Sequence, residues 1–475
     1  MSTNIIAPHN VQIAPFELVH MLSLSVEKKI NEHAKLVFTG IVSEDLKDSY
    51  VEMTDSETQV EVSQKDEEGG LSPLFYGLVQ RIEVKAVRDV YVLKVEALSH
   101  TCQLDLEKHT RSYQDTGMTY KALIDQMAAS YPGMDVLDTA TQGASLGKFT
   151  LQYQETDWAF LKRMASRFQA GLMPSAMFNS PKVFLGTPDG DAAGKLADMP
   201  YSVRKDVLHY RRMCKIGMQG VTEQDFIFYE IETTQWLLDL GQCITFKKQQ
   251  LYVCEMHSQW KEGMLSHRYL LCSGKGLSQP PLYAAALTGA SLQGKVLAIA
   301  KDTVQIHLDI DEKQDAGKAY WFPYSSVYTA EGGTGWYCMP EKGDQVRVYF
   351  PSGKEENGIA SSSVRQNVEE GEHNKLGNPD HKFFRTPAGK ELKMTPEEII
   401  ITGKDGEVFI RLSDEGGIEI ISKKKITIKA EEDIAIDSQQ KVLISAKDEI
   451  SLTCKESLIK MDGNTTIKGK ELKTN

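Results

Sequence analysis

Between Ile418 and Lys473 the apolar residues return every eight positions, through the segments IEIISKKK, ITIKAEED, IAIDSQQK, VLISAKDE, ISLTCKES, LIKMDGNT and TIKGKELK. Ile418, Ile426, Ile434, Val442, Ile450 and Leu458 hold the first position of an octad, and Ile420, Ile428, Ile436, Ile444 and Leu452 hold the third. This alternation predicts a short strand with one buried face in each octad. Position five is small in the first five octads (Ser422, Ala430, Ser438, Ala446, Cys454), and charged or amidic residues follow it. A tight, solvated corner is expected there.

Eight residues cannot wrap a core alone. Three such strands are needed to enclose an apolar axis, so one complete coil takes about 24 residues. A monomeric solenoid built from these octads would be a stub with few rungs and unprotected ends, burying little area per residue. If three chains each contribute one octad per level, every strand gains neighbours from another chain. The expected trimer axis is then Ile418, Ile420, Ile426, Ile428, Ile434, Ile436, Val442, Ile444, Ile450, Leu452 and Leu458. The alternative is a plain β-meander with an accidental spacing, but KKK, EED, QQK and KDE supply none of the Gly or Pro signals that hairpins use. Between Ile418 and Asn475 Lys and Arg number 11 against 10 Asp and Glu, which predicts a solvated exterior of mixed sign.

A length of 475 residues implies about three or four domains. The formal charge of −12 argues against a nucleic-acid-binding surface, which would need a basic face. The seven cysteines are scattered, without a CxxC pair, which predicts buried thiols in a reducing compartment and neither a disulfide framework nor a zinc site. The N-terminal segment MSTNIIAPHNVQIAPF has no basic run followed by an apolar core, and no apolar run approaches about 18 residues. The expectation is a protein made in the cytoplasm without a signal peptide.

Residues 1–112 read mainly as strands, with alternation in AKLVFTGIV, LFYGLVQRIEVKAV and DVYVLKVEAL, the pattern of a first β-barrel domain. Residues 113–200 mix helix and strand. Tyr120, Leu123, Ile124 and Met127 have helical spacing before Pro132, while Trp158, Leu161, Met164 and Phe168 line a second helix with Thr156 or Asp157 as cap and Gly171 as stop. A second β-domain is expected over 201–286, including a strand in YRRMCKIGMQG. Residues 290–366 hold five short strand-like runs of a small closed barrel. Residues 367–417 read as a polar linker followed by irregular strands, and the octads occupy 418–475.

With these modules in order, the chain resembles the VgrG and phage baseplate-spike family of contractile injection systems. The resemblance is carried by GKVLAIAKDTVQIHLDI, YWFPYSS and GTGWYCMPEKGDQVRVYF in the barrel, by LQYQETDWAFLKRMASRFQAG and SHTCQLDLEKHTRSYQDTGMTYKALI before it, and by FFRTPAGKELKM after it. It implies a mainly β, multidomain fold: tail-hub β-barrel domains with a small α/β part, an OB-fold barrel, and a C-terminal triple-stranded β-helix formed by a homotrimer. It also implies a membrane-puncturing spike, with tube and baseplate proteins, a PAAR-like tip protein and effector cargo as partners. The expected localisation is an injection particle whose spike crosses the target membrane transiently. Lys460 and Thr466 interrupt the apolar pattern near the end, so the tip lacks a closing plug, and Lys468, Lys470 and Leu472 are expected to contact the tip partner.

No residue pattern argues for an enzyme, a cofactor or a metal. Gly143-Ala144-Ser145-Leu146-Gly147 matches GxSxG, but a loop precedes it and a strand-like run follows, where a nucleophile elbow needs strand then helix. Asp309, Asp311 and Asp315 suggest a calcium loop, yet Gln314 and Tyr320 occupy the positions that require Gly and Glu. GTPDGDAAGK at 186–195 fails phosphate-loop spacing, with Leu196 in place of Ser or Thr. Trp321 and Trp336 are expected in packing. The rival readings are a tail-associated cell-wall or glycan hydrolase, which would need a carboxylate pair in a domain of its own, and a glycan-binding trimeric fibre.

Overall fold

A computed structural model describes residues 11–46, 48–65, 71–188, 190, 192–196, 199–234, 237–261, 263–330, 334–363, 378–404, 406–461, 463, 464, 466, 469–471 and 473. It divides into two compact units, Met1–Gln366 and Asn367–Asn475.

The first unit is organised by alternation. Lys35–Val42 buries every second residue, as does the start of Ser291–Ala300. Such strands need pairing on both edges and cover on one face. Most of them find it in one eleven-stranded antiparallel sheet. Its order is Val11–Ala14, Gln59–Lys65, Leu71–Val87, Val90–Ser99, Lys35–Val42, His20–Lys29, Gln249–Lys261, Met264–Cys272, Ile227–Thr233 and Tyr201–Lys205, with Cys243–Phe246 also paired to Gln249–Lys261. The two β-rich stretches of the sequence therefore share a sheet. Their seam is the pairing of Ser25, Glu27 and Lys29 with Gln259, His257 and Glu255. Each half keeps its own core, with Leu36, Phe38, Val60, Phe75 and Val95 in the first and Phe226, Phe246, Val253, Tyr269 and Leu271 in the second.

Two helices stand between the halves in sequence. Tyr120–Ala128 is capped by Thr119, whose side chain accepts from Ala122 N, and Asp157–Ser166 by Thr156, which accepts from Ala159 N at 3.2 Å. Leu123, Met127, Trp158, Leu161 and Met164 bury their apolar faces in one core. The second helix ends at Ser166, five residues short of the Gly171 stop. The strand expected in YRRMCKIGMQG is corrected: Val207–Lys215 is a helix, started by Asp206, whose carboxylate accepts from His209 N at 2.8 Å, with Met213 buried. Capping decided the local structure there.

A closed barrel follows, made of Ser291–Ala300, Thr303–Leu308, Trp321–Ser325, Ile359–Ser361 and Gln345–Tyr349. Its core is not all its own, since Phe149 and Leu151 from the preceding segment join Val304, Ile306, Phe322 and Phe350. Phe149 meets Phe322 edge-on at 4.9 Å between centroids. A buried ion cluster fixes the same junction. Arg163 lies 2.8 Å from Glu355 and 2.6 Å from Glu155, and donates to the Leu151 carbonyl at 2.7 Å; Arg167 also pairs with Glu355. Arg163 and Glu355 are only 2% and 3% exposed, so each needs the other. Burial works against the Arg163 charge, but the bond to Glu155 and the charge of Glu355 hold its pKa above the ordinary guanidinium value.

The second unit corrects the irregular strands expected in the later part of 367–417, while 367–377 of the expected linker lie outside the described residues. Lys382–Arg385, Glu391–Met394, Glu398–Lys404, Val408–Ser413 and Gly417–Ser422 form a five-stranded antiparallel meander, with one register shift between Thr402 and Lys404. Gly389 and Gly406 supply the positive φ that two of its turns require, at 78° and 65°. The first octad, with Ile418 and Ile420, is the last strand of this sheet.

Replacing Arg163 by Met should destabilise the protein by about 3–5 kcal/mol, because the Glu355 carboxylate stays buried with one cation fewer. Denaturant unfolding checks this, and a loss under about 1 kcal/mol would mean the cluster is replaceable. A second expectation concerns pH. Burial, and then the Lys28 charge, push the His267 pKa from 6.5 to about 4; burial also lowers His33 and His100. His267 stays neutral in the folded chain while the unfolded chain takes up a proton there below about 6.5, so its contribution to stability is lost as pH falls through that value towards 4. The thermal midpoint should fall between pH 7 and 5, less steeply in His267→Gln. Equal slopes would show that His267 is already protonated when folded.

Candidate functional site

The side chains that suggested chemistry are dispersed. Gly143 and Gly147 take positive φ, Ser145 forms an isolated bridge with Thr119, and the strand Thr150–Thr156 follows. Ser145 therefore does not open a helix. Asp311 accepts from the backbone and hydroxyl of Ser112 at 2.9 and 2.5 Å, while Asp315 accepts from Gly317 N at 2.9 Å. Burial raises the Asp311 pKa, against the two Ser112 bonds. Among the described residues no group of three or more His, Cys, Asp or Glu side chains could hold a metal. Asp189 and Asp191 of the 186–195 segment lie outside the described residues. Trp321 and Trp336 are exposed rather than packed in a core. Of the cysteines, Cys102, Cys243, Cys254 and Cys272 are buried, whereas Cys214, Cys338 and Cys454 are exposed.

The second unit shows the larger anomaly. Strand register places Phe384, Leu392, Ile401, Ile410 and Ile420 in one row, and Met394, Ile399, Leu412 and Ile418 in the next, on one face of the meander. Phe384, Ile399, Ile401, Ile410, Leu412, Ile418 and Ile420 are all exposed. The opposite face carries the polar pairs, with Arg385 to Glu391 at 2.8 Å and Arg411 to Glu398 at 2.5 Å. In an antiparallel sheet the apolar face normally packs against something. Here most of that face is exposed, with Leu392 and Met394 half-buried.

Exposed apolar residues recur in the octads that follow. Bends fall at 423–424, 431–432, 439–440 and 447–448, eight residues apart, and 425–430, 433–438 and 441–446 have no strand partner among the described residues. Ile426, Ile428, Ile434, Ile436, Val442 and Ile444 are exposed, Ile428 and Ile436 to 73% each. The fifth and sixth octads pair with each other instead, as a hairpin of Ile450–Cys454 with Ser457–Met461 that sets Leu452 opposite Ile459. Its turn is closed by Lys455 at φ 53°, a conformation with no Gly or Pro to announce it. Ile450 is partly buried, while Leu452 and Leu458 are exposed. Lys470 is exposed; Lys468 and Leu472 lie outside the described residues. Sequence reading missed the apolar face upstream of Ile418, although the alternation in ELKM, EIIITGK and VFIRLS carried the signal.

Residues 292–364, which span the closed barrel, match the type VI secretion system and phage-baseplate injector OB domain family. No curated protein matches the chain by sequence. Among solved structures, the chain is similar to the E. coli c3393 protein, described as a component of the type VI secretion system with structural similarity to the T4 bacteriophage tail proteins gp27 and gp5. That match has a TM-score of 0.53 and 12% identity, and covers 75% of this chain and 100% of the other. It is also similar to the VgrG complex with PdpA from Francisella in its half-lidded form, at a TM-score of 0.55 and 9% identity, with coverage of 86% and 87%. At these identities the likeness is one of fold. The barrel thus matches the injector OB-domain family model, and the fold of the chain is similar to that of these two structures.

Proposed function

We propose that this chain is the hub and membrane-puncturing spike of a contractile injection machine, acting as a homotrimer. The observation that carries the reading is the set of exposed apolar residues of the second unit, on the meander and in the octads to Ile444, where 425–430, 433–438 and 441–446 have no strand partner among the described residues. Two further copies supply both missing elements. Their faces cover the meander and the octad rows, and their strands provide hydrogen-bond partners. Burying each Ile, Leu or Val contributes about 1.5–3 kcal/mol, so the side chains counted above offset the cost of ordering a spike that no single chain can hold.

The mechanism is mechanical. A spike that transmits axial load needs strands whose rupture breaks ladders to neighbouring chains, and it must leave no lateral edge open. In this reading the axis is formed by Ile418, Ile420, Ile426, Ile428, Ile434, Ile436, Val442, Ile444, Ile450, Leu452 and Leu458. The hairpin of the fifth and sixth octads would re-pair on assembly. The hub of the first unit would seat on tube and baseplate proteins. Lys468, Lys470 and Leu472 would face a PAAR-like tip protein, with effectors carried as cargo, and delivery would take the spike out of the producing cell. Among the described residues no helix is long and apolar enough to cross a membrane, so passage would be driven from outside the spike.

Ile434→Asp places three like charges at one level of the axis and should abolish SDS-resistant trimers, while Lys429→Asp on the solvated side should leave them intact. Light scattering and unboiled gels read both. An unchanged trimer in Ile434→Asp would sink the axis assignment.

A further inference from the structure

A cavity of about 420 Å³ opens in the first unit beside the seam of the eleven-stranded sheet. Met173, Met177, Phe178, Phe184 and Leu240 give it apolar walls, and Lys28 and Asp239 give it a charged pair with Nζ 2.9 Å from Oδ1. Lys28 is the last-but-one residue of the strand His20–Lys29, so the sheet holds it rigidly, and it is 1% exposed. An ammonium has three donors. Among the described residues its partners are Asp239 Oδ1 and the Met177 sulfur at 3.8 Å, a weak acceptor. The cavity thus combines a size suited to a ligand, adaptable walls and a fixed donor lacking a second oxygen.

We propose that this cavity docks a polypeptide segment that inserts one aromatic or long aliphatic side chain and offers a neutral backbone carbonyl to Lys28. The charge pattern selects the neutral acceptor. Asp239 already balances the Lys28 ammonium, so a second buried anion would meet the Asp239 carboxylate and go uncompensated. Phe178 stands 51% exposed at the rim, so the occupant continues into solvent, as a chain does and an engulfed metabolite does not. Methionine walls adapt to apolar side chains of different shape, which suits a surface that receives more than one segment. The site lies within one chain and does not depend on the trimeric reading.

Saturation-transfer NMR on the full chain, with N-acetylphenylalaninamide, N-acetylphenylalanine carboxylate and decanoate as probes, tests this. The amide should bind about tenfold more tightly than either anion, a difference of one decade in Kd. Met177→Trp fills the cavity and should abolish amide binding. The double variant Lys28→Met, Asp239→Leu keeps the apolar walls, removes both charges, and should bring amide and carboxylate within about twofold of each other. Circular dichroism checks that each variant folds; if the double variant does not, Met177→Trp decides alone. Absence of amide binding, amide binding that survives Met177→Trp, or decanoate binding more tightly than the amide would overturn the proposal.

Discussion

Every residue of an extended chain presents a backbone donor and acceptor that must be paired, and every alternating strand presents an apolar face that must be covered. The first unit meets both demands internally. Its sheet continues through eleven strands, its two halves have separate cores, and the barrel closes on itself. The second unit meets neither demand alone. Its meander pairs its strands yet leaves Ile401 and Ile410 exposed, and among the described residues 425–430, 433–438 and 441–446 have no strand partner. The contrast between these units separates a body that buries its own cores from one whose apolar side chains stay exposed.

Inside the first unit, charges do what apolar packing does not. Arg163 joins a helix to Glu355 of the barrel region, 192 residues away in sequence, and Lys28 joins one half of the sheet to Asp239 near the other. Asp157 is held by Arg111 and Gln152 at the foot of the same helix. A buried pair adds little net stability over an apolar substitute, but a mispaired one is costly, so such contacts discriminate against wrong arrangements of otherwise similar strands. The barrel is placed against the helical segment by this selectivity and by Phe149 in a shared core.

Features set by short-range pattern were legible beforehand. Thr119 and Thr156 precede helical spacing, and the structure has helices capped by those residues. The octad period reappears as bends eight residues apart. Reading failed where two local signals competed. YRRMCKIG alternates enough to suggest a strand, but Asp206 three residues before His209 caps a helix, and the cap prevailed. The turn at Lys455 gave no warning because a left-handed lysine lacks the usual Gly or Asn marker. In the meander the sequence alternation was present but was discounted beside the polar stretch preceding it.

The sequence by itself determined the period-two strands, the helix starts, the barrel signature and the eightfold apolar repeat, because each depends on residues within a turn or two of one another. It also determined that one octad is too short to enclose an axis by itself. Tertiary structure alone decided that two β-rich stretches share one sheet through Ser25–Lys29, that Arg163 meets Glu355, and that a cavity forms around Lys28. Those contacts join residues about two hundred positions apart, and no local propensity encodes which distant partner a buried charge or a strand edge will find.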